Sequence, residues 1–101
     1  MKYLLNYRAD GDFLPLARAN REAHLARMKE FVDRGELLMA GPLDEPFNGD
    51  ALSIFTTREA AVAFAESDPF VLNGVVSSWD IRPWSEFWVP ERDPAGSDPA
   101  V

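Results

Sequence analysis

The chain has no cysteine in its 101 residues. That removes disulfides, thiolate nucleophiles and thiolate metal sites together. It has a single histidine, so a metal centre would rest on scattered carboxylates, and none is expected. Cations are scarce as well: 10 Lys+Arg stand against 17 Asp+Glu, a net charge of −7. Phosphate neutralisation needs clustered Lys and Arg, so a nucleic-acid partner is excluded. No apolar run approaches the roughly 18 residues that a membrane-crossing helix requires. No charged-then-apolar leader ends in a small-residue cleavage site, so the expected location is cytoplasmic. There is no glycine-rich phosphate loop and no dinucleotide fingerprint. Ser53, Ser77 and Ser78 do not sit on the G-x-S-x-G turn that would activate a hydrolase serine.

A hydrophobic share of 47% is ordinary for a globular chain and argues against wholesale disorder. Lys2 to Tyr7 reads as a strand, and Asp10, Gly11 and Asp12 carry turn chemistry. Pro15 to Arg34 reads as a helix, with Pro in its first turn and Gly35 as its stop. Glu36 to Gly41 gives a second strand that runs into Pro42. A loop through Asn48-Gly49 leads to a third strand, Ala51 to Thr56. Thr57 caps a second helix that reaches about Glu66. Asp68-Pro69 opens a short turn, and Val75 to Trp84 is the fourth strand.

The order β-α-β-β-α-β predicts an α+β, ferredoxin-like fold over residues 1–84, a four-stranded antiparallel sheet with both helices on one face. Residues 85–101 read as an acidic, proline-rich tail (Pro90, Pro94, Pro99). It is expected to dock through Phe87, Trp88 and Val89 and to fray from Glu91. Trp79, Trp84, Trp88 and Phe87 read as one aromatic cluster, packed in the core or a dimer contact, with the lining of an apolar ligand cavity as the alternative.

Alternate residues of a strand share a face. One set is Tyr3, Leu5, Tyr7, Leu37, Met39, Leu52, Ile54, Val75, Ser77, Trp79 and Ile81. The other is Leu4, Asn6, Leu38, Ala40, Ser53, Phe55, Val76, Ser78 and Asp80. The second is more mixed, yet Leu4, Leu38, Ala40, Phe55 and Val76 are too apolar for a fully wetted face, and two helices cover only one side of a sheet. The uncovered side predicts a second copy of the chain, a homodimer packed through sheet faces.

On the first helix, Ala17, Arg21, His24, Leu25, Met28, Phe31 and Val32 fall on one stripe. Arg21 and His24 stand where apolar residues belong, and burying an ionisable group costs several kcal/mol unless it is paired. The bland readings are a locally satisfied histidine and an arginine whose stem covers apolar surface. The sharper reading is a pocket. Asp68 continues the inward face of Ala61, Phe64 and Ala65. Its bland reading is the cap of the turn after it; the two roles are compatible, with one oxygen capping and the other accepting from an imidazole N–H. Such a contact fixes the tautomer and leaves the second nitrogen to act as a base.

The opening MKYLLNY, REAHLARM around His24, GELLMAGPL, TTREAAVAFAESDPF around Asp68 and the closing IRPW together resemble the YCII-related (YciI-like) family. The resemblance covers residues 1 to about 84 in order and spacing. It implies a ferredoxin-like fold that dimerises as a dimeric α+β barrel, with an active site built on a His and an Asp, here His24 and Asp68. Some relatives act on small aromatic or quinol-type substrates, as in dehydrochlorination, and muconolactone isomerases share the fold group.

Two functions follow from this reading. The first is a lyase or isomerase that moves a proton on a small aromatic or lactone-like molecule without metal or organic cofactor. His24 would be acid and base, Asp68 its orienting partner, and Arg21 the cation for an anionic oxygen. Tyr7, Gly41 and Pro42 would line the substrate's entry between the first helix and the sheet. The second is a dimeric module that binds a small ligand in the same pocket and performs no chemistry.

Overall fold

A computed structural model of the chain describes residues 1–87. Strand β1 (Lys2–Arg8), helix α1 (Leu14–Asp33), strands β2 (Leu37–Pro42) and β3 (Ala51–Phe55), helix α2 (Arg58–Ser67), the one-turn helix α3 (Pro69–Leu72) and strand β4 (Ser78–Trp84) follow in that order. The strands pair antiparallel in the order β2-β3-β1-β4, which is the expected ferredoxin-like α+β arrangement. Both edge strands carry a proline, Pro42 on β2 and Pro83 on β4. A residue without an N–H is tolerated at an edge and not in a central ladder. The tail beyond Phe87, with Trp88, Val89 and the three prolines, lies outside the described residues.

Local chemistry sets the element ends. Gly35 ends α1 at φ +74, a left-handed conformation that costs a residue with a Cβ about 1 kcal/mol or more. Its amide donates to the carbonyl of Val32, and that of Glu36 donates to the carbonyl of Phe31, both at 2.9 Å. These two bonds form a Schellman closure that satisfies helix carbonyls which would otherwise have no partner. The Thr57 hydroxyl caps α2 by accepting from the Ala60 amide at 3.1 Å.

The fourth strand begins at Ser78 rather than Val75. The Val76 amide is bound at 2.9 Å to the carbonyl of Phe70. Val76 is therefore tied to α3, and both Val75 and Val76 are buried without joining the ladder.

Register also corrects the face assignment. Leu5 pairs with Ser53 and Tyr3 with Phe55, so it is Ser53 and Phe55, not Leu52 and Ile54, that share the side of Leu5 and Tyr7. A bulge between Leu37 and Met39 breaks the alternation of β2, so Leu37 and Ala40 face one way and Met39 the other. Tyr7 pairs with Trp79 and Lys2 with Trp84, which puts the two tryptophans on opposite faces of β4. They do not form one cluster: Trp79 packs on the core, and Trp84 is exposed.

The core lies between one sheet face and the helices. Leu5, Tyr7, Leu37 and Phe55 meet Phe31 of α1 and Ala60, Ala61, Phe64 and Ala65 of α2. Small alanines let α2 approach the sheet, and the rings of Phe31, Phe55 and Phe64 fill the space, with centroids 5.2 to 6.1 Å apart. Each buried phenylalanine is worth about 1.5–3 kcal/mol relative to exposure.

The inward stripe of α1 is narrower than its sequence suggests. Phe31 is buried, while Ala17, Asn20, His24, Arg27 and Met28 are half-buried. Leu25, Val32 and Arg21 are exposed. The far face of the sheet carries Leu4, Leu52 and Ile54, all half-buried, beside Met39 at 67% exposure.

Candidate active site

The junction between α2 and α3 delivers Asp68 into the interior. Helix α2 ends at Ser67, and Asp68 turns to extended backbone at φ −71, ψ 124 before Pro69 starts α3. Proline disfavours helical geometry in the residue before it, which is why the break falls here. The carboxylate is wholly buried, at 0% exposure, and three donors reach it. His24 Nδ1 lies 2.7 Å from Oδ1, and the Phe70 amide donates to the same oxygen at 3.0 Å. The Tyr7 hydroxyl donates to Oδ2 at 2.7 Å. The expected division of labour is therefore corrected. One oxygen both caps α3 and accepts from the imidazole, and the second is taken by a phenol.

A carboxylate can only accept, so Nδ1 is the ring nitrogen that carries a proton toward Asp68, and in the neutral imidazole the lone pair is then on Nε2. The His24 ring stacks face to face on Phe70, at 3.7 Å between centroids and 2° between planes, and meets the edge of Phe64 at 6.2 Å. Its side chain is 15% exposed. Among the described residues Nε2 has no hydrogen-bond partner. The ring is thus clamped at one nitrogen and on one face, and its free nitrogen is the one that can exchange a proton.

Two further contacts hold α1 against the α2–α3 segment on either side of this pair. Asn73 Nδ2 donates to Asn20 Oδ1 at 2.7 Å, and Arg27 Nε donates to Ser67 Oγ at 2.8 Å. Positions 20, 24 and 27 fall one helical turn apart on a single face, so three polar rungs fix the imidazole's height and rotation. Neither Phe70 nor these rungs follow from the apolar pattern of α1; the polar spacing of Asn20, His24 and Arg27 is the signal in the sequence that points to them.

Tyr7 was expected to touch substrate, but it is a buried donor to Asp68. Burial first, then the charge of Asp68 and the bond to it, push its phenol far above the ordinary tyrosine range, so it stays protonated. Arg21 is exposed one turn before His24, and among the described residues its guanidinium has no hydrogen bond or ion pair. Pro42 shares a face and a row with Tyr7 through Ala51, two strands or about 10 Å away. Gly41 pairs with Leu52 and so belongs to the opposite face. Neither glycine nor proline joins the buried pair.

The loop from residue 43 to 50 folds back over the end of β1. The Ala9 amide donates to Asp50 Oδ1 at 3.2 Å, and the rings of Phe13 and Phe47 meet edge to face at 5.6 Å. Gly49 permits this approach: a Cβ there would lie 2.6 Å from the Ala9 Cβ.

A shallow hollow of about 310 Å³ lies toward the C-terminal end of α1, lined by Phe31, Arg34, Glu36, Glu59, Ala60 and Ala63. It contains none of the residues above. Its arginine is bound to Glu36 at 2.9 Å and lies over the Phe31 ring, and the hollow holds no histidine. Among the described residues no three His, Asp or Glu side chains converge as a metal-binding group. No helix among them is long and apolar enough to cross a membrane.

Comparison with known proteins places the chain in a family. Protein YciI of Escherichia coli O6:H1 and Protein YciI of Shigella flexneri are each 33% identical over 96 residues, covering 85% of this chain and 98% of theirs. Among solved structures, the fold is similar to that of 5-chloro-2-hydroxyhydroquinone dehydrochlorinase (TftG) from Burkholderia phenoliruptrix AC1100, in complex with 2,5-dihydroxybenzoquinone. The TM-score is 0.68 at 20% identity, with 84% of this chain and 94% of that one covered. The profile of the YCII-related domain matches residues 1–85, and the chain belongs to the YCII-related family.

Proposed function

We propose that the protein is a small-molecule enzyme in which His24 moves a proton, held by Asp68, with no metal or organic cofactor in the step. The observation that carries this reading is the free Nε2 on a ring whose Nδ1 is bound to a wholly buried carboxylate. A purely structural histidine has no need of a buried negative charge, which costs several kcal/mol to desolvate. A histidine that becomes cationic during a reaction does.

Nε2 takes a proton from an acidic C–H or O–H of the bound substrate, and the imidazolium so formed is stabilised by the Asp68 carboxylate. In an isomerisation the proton returns to a different atom. In an elimination the electron pair expels a leaving group, and the proton and leaving group depart together as an acid. Arg21, at the exposed rim one turn from His24, faces the oxygen on which negative charge develops. General acid–base work is worth about 10²–10⁴-fold, which suits a substrate whose proton is already activated, such as a hydroxylated aromatic or a lactone. The dehydrochlorinase that shares the fold acts on a substrate of that kind by its name, and this supports the class. A second copy packed on the far sheet face is part of the proposal, supported by the apolar Leu4, Leu52, Ile54 and Met39 there.

The test is turnover of a panel of such compounds by the wild type and by His24→Asn. Loss of turnover with ligand affinity retained is the expected result. Unchanged turnover ends the proposal. Ligand binding without turnover in either protein favours the non-catalytic module.

A further inference from the structure

The buried phenol of Tyr7 comes from β1, 61 residues away in sequence from the carboxylate it meets. We infer that Tyr7 is a positioning residue for the His24–Asp68 pair: it occupies the second carboxylate oxygen and thereby limits how tightly Asp68 holds a proton on His24. The inference rests on the proton-transfer reading of that pair and adds a member that acts through Asp68 without touching substrate.

The argument is one of charge balance. Asp68 is wholly buried, and a buried carboxylate must have its charge dispersed by donors or met by a cation. Two of its donors are neutral, the Phe70 amide and the Tyr7 hydroxyl; the third is an imidazole that can become cationic. What the neutral donors do not disperse falls on His24. Without the phenol, Oδ2 has no donor, and the pair is drawn toward carboxylate and imidazolium. The phenol keeps its own proton because burial and Asp68 oppose its ionisation, so it remains a donor wherever an imidazole titrates.

No other ionisable group among the described residues shares this task. On α1, Arg27 is committed to Glu30 and Ser67, and Arg21 and Glu22 are exposed. On α2, Arg58, Glu59 and Glu66 are exposed, and α3 carries no titratable side chain. On β4, Asp80 pairs with Arg8, on the sheet face away from Tyr7. On β1, Lys2 is bound to Glu86 and Tyr3 lies under Arg58, so Tyr7 is the strand's one donor to Asp68 among the described residues.

Because the chain has one histidine, its imidazole titration can be followed by nuclear magnetic resonance without assignment and without a substrate. The experiment compares the wild type, Tyr7→Phe, Asp68→Asn and the double variant. Tyr7→Phe is expected to raise the His24 midpoint by about one pH unit, a tenfold tighter proton, the scale of losing a hydrogen bond to a charged group. In the Asp68→Asn background the same change should move it by less than about 0.2, since the interaction to be lost is absent. An unchanged midpoint in folded Tyr7→Phe, or an equal shift in both backgrounds, overturns the inference. If Tyr7→Phe does not fold, fluorotyrosine in a Tyr3→Phe chain provides a stronger donor at the same place. It should lower the midpoint, and a midpoint that stays put overturns the inference too. Turnover that survives His24→Asn counts against the proton-transfer reading and leaves these midpoints as they are.

Discussion

At the scale of single residues, the site sets one side chain with a free ring nitrogen among several groups that are fully bonded. His24 keeps Nε2 free, whereas Tyr7, the Phe70 amide and Asp68 are fully engaged with one another. Arg21 differs from all of these, since it is exposed and contributes nothing to the buried network. Replacing it with Ala should therefore leave folding unchanged and raise KM for an anionic or enolisable substrate about tenfold, with a smaller effect on kcat. Steady-state kinetics over a substrate series checks this, and an unchanged KM would remove Arg21 from the site. Helical spacing puts His24 and Asp68 on inward faces, but it leaves bland readings open for both, and the resemblance to the YCII-related family is what joins them as a pair. Spacing does not reveal their contacts. The contacts of Asp68 with His24 and Tyr7 span 44 and 61 residues, and no local pattern encodes a meeting over that distance.

At the scale of elements, turn chemistry made the order of strands and helices readable: Gly35 stops α1, Thr57 caps α2 and Asp68-Pro69 divides α2 from α3. Relative facing was not readable. Parity assigns alternate residues within a strand, but pairing between strands is set by register, and the bulge in β2 breaks parity inside one strand. The buried stripe of α1 differs from its apolar stripe because Leu25 and Val32 are apolar yet exposed, while Asn20 and Arg27 turn inward to bond Asn73 and Ser67. The end of β4 is tied back to the start of β1. Glu86 bridges the Met1 amino group at 2.8 Å and Lys2 at 2.9 Å, and these bonds, the amino terminus first, hold its carboxyl at about 2 against an ordinary 4.5. A carboxyl lowered on folding adds stability above its unfolded value, and that stability is lost as pH falls through the folded one. Wild type should exceed Glu86→Gln in unfolding free energy at neutral pH, and the gap should close between about pH 4.5 and 2. Denaturant midpoints across that window check it, and a pH-independent gap would contradict it.

At the scale of the whole molecule, the helices cover one sheet face and leave Leu4, Leu52, Ile54 and Met39 on the other. An apolar sheet face of this kind calls for a second layer. Sedimentation at micromolar concentration should give twice the chain mass, and Ile54→Asp should return it to one; a wild-type monomer would contradict the sheet-to-sheet dimer. Burying that face would leave the His24 pair on the helix side, so dimer formation and proton transfer can be tested separately. The central claim is that the proton passes through His24. It is tested most directly by the rate at which solvent deuterium enters a turned-over compound, measured for wild type and for His24→Asn at saturating ligand. The account predicts exchange in the wild type and a fall of at least about 10²-fold in the variant, with ligand affinity retained. Equal exchange in the two proteins would contradict it.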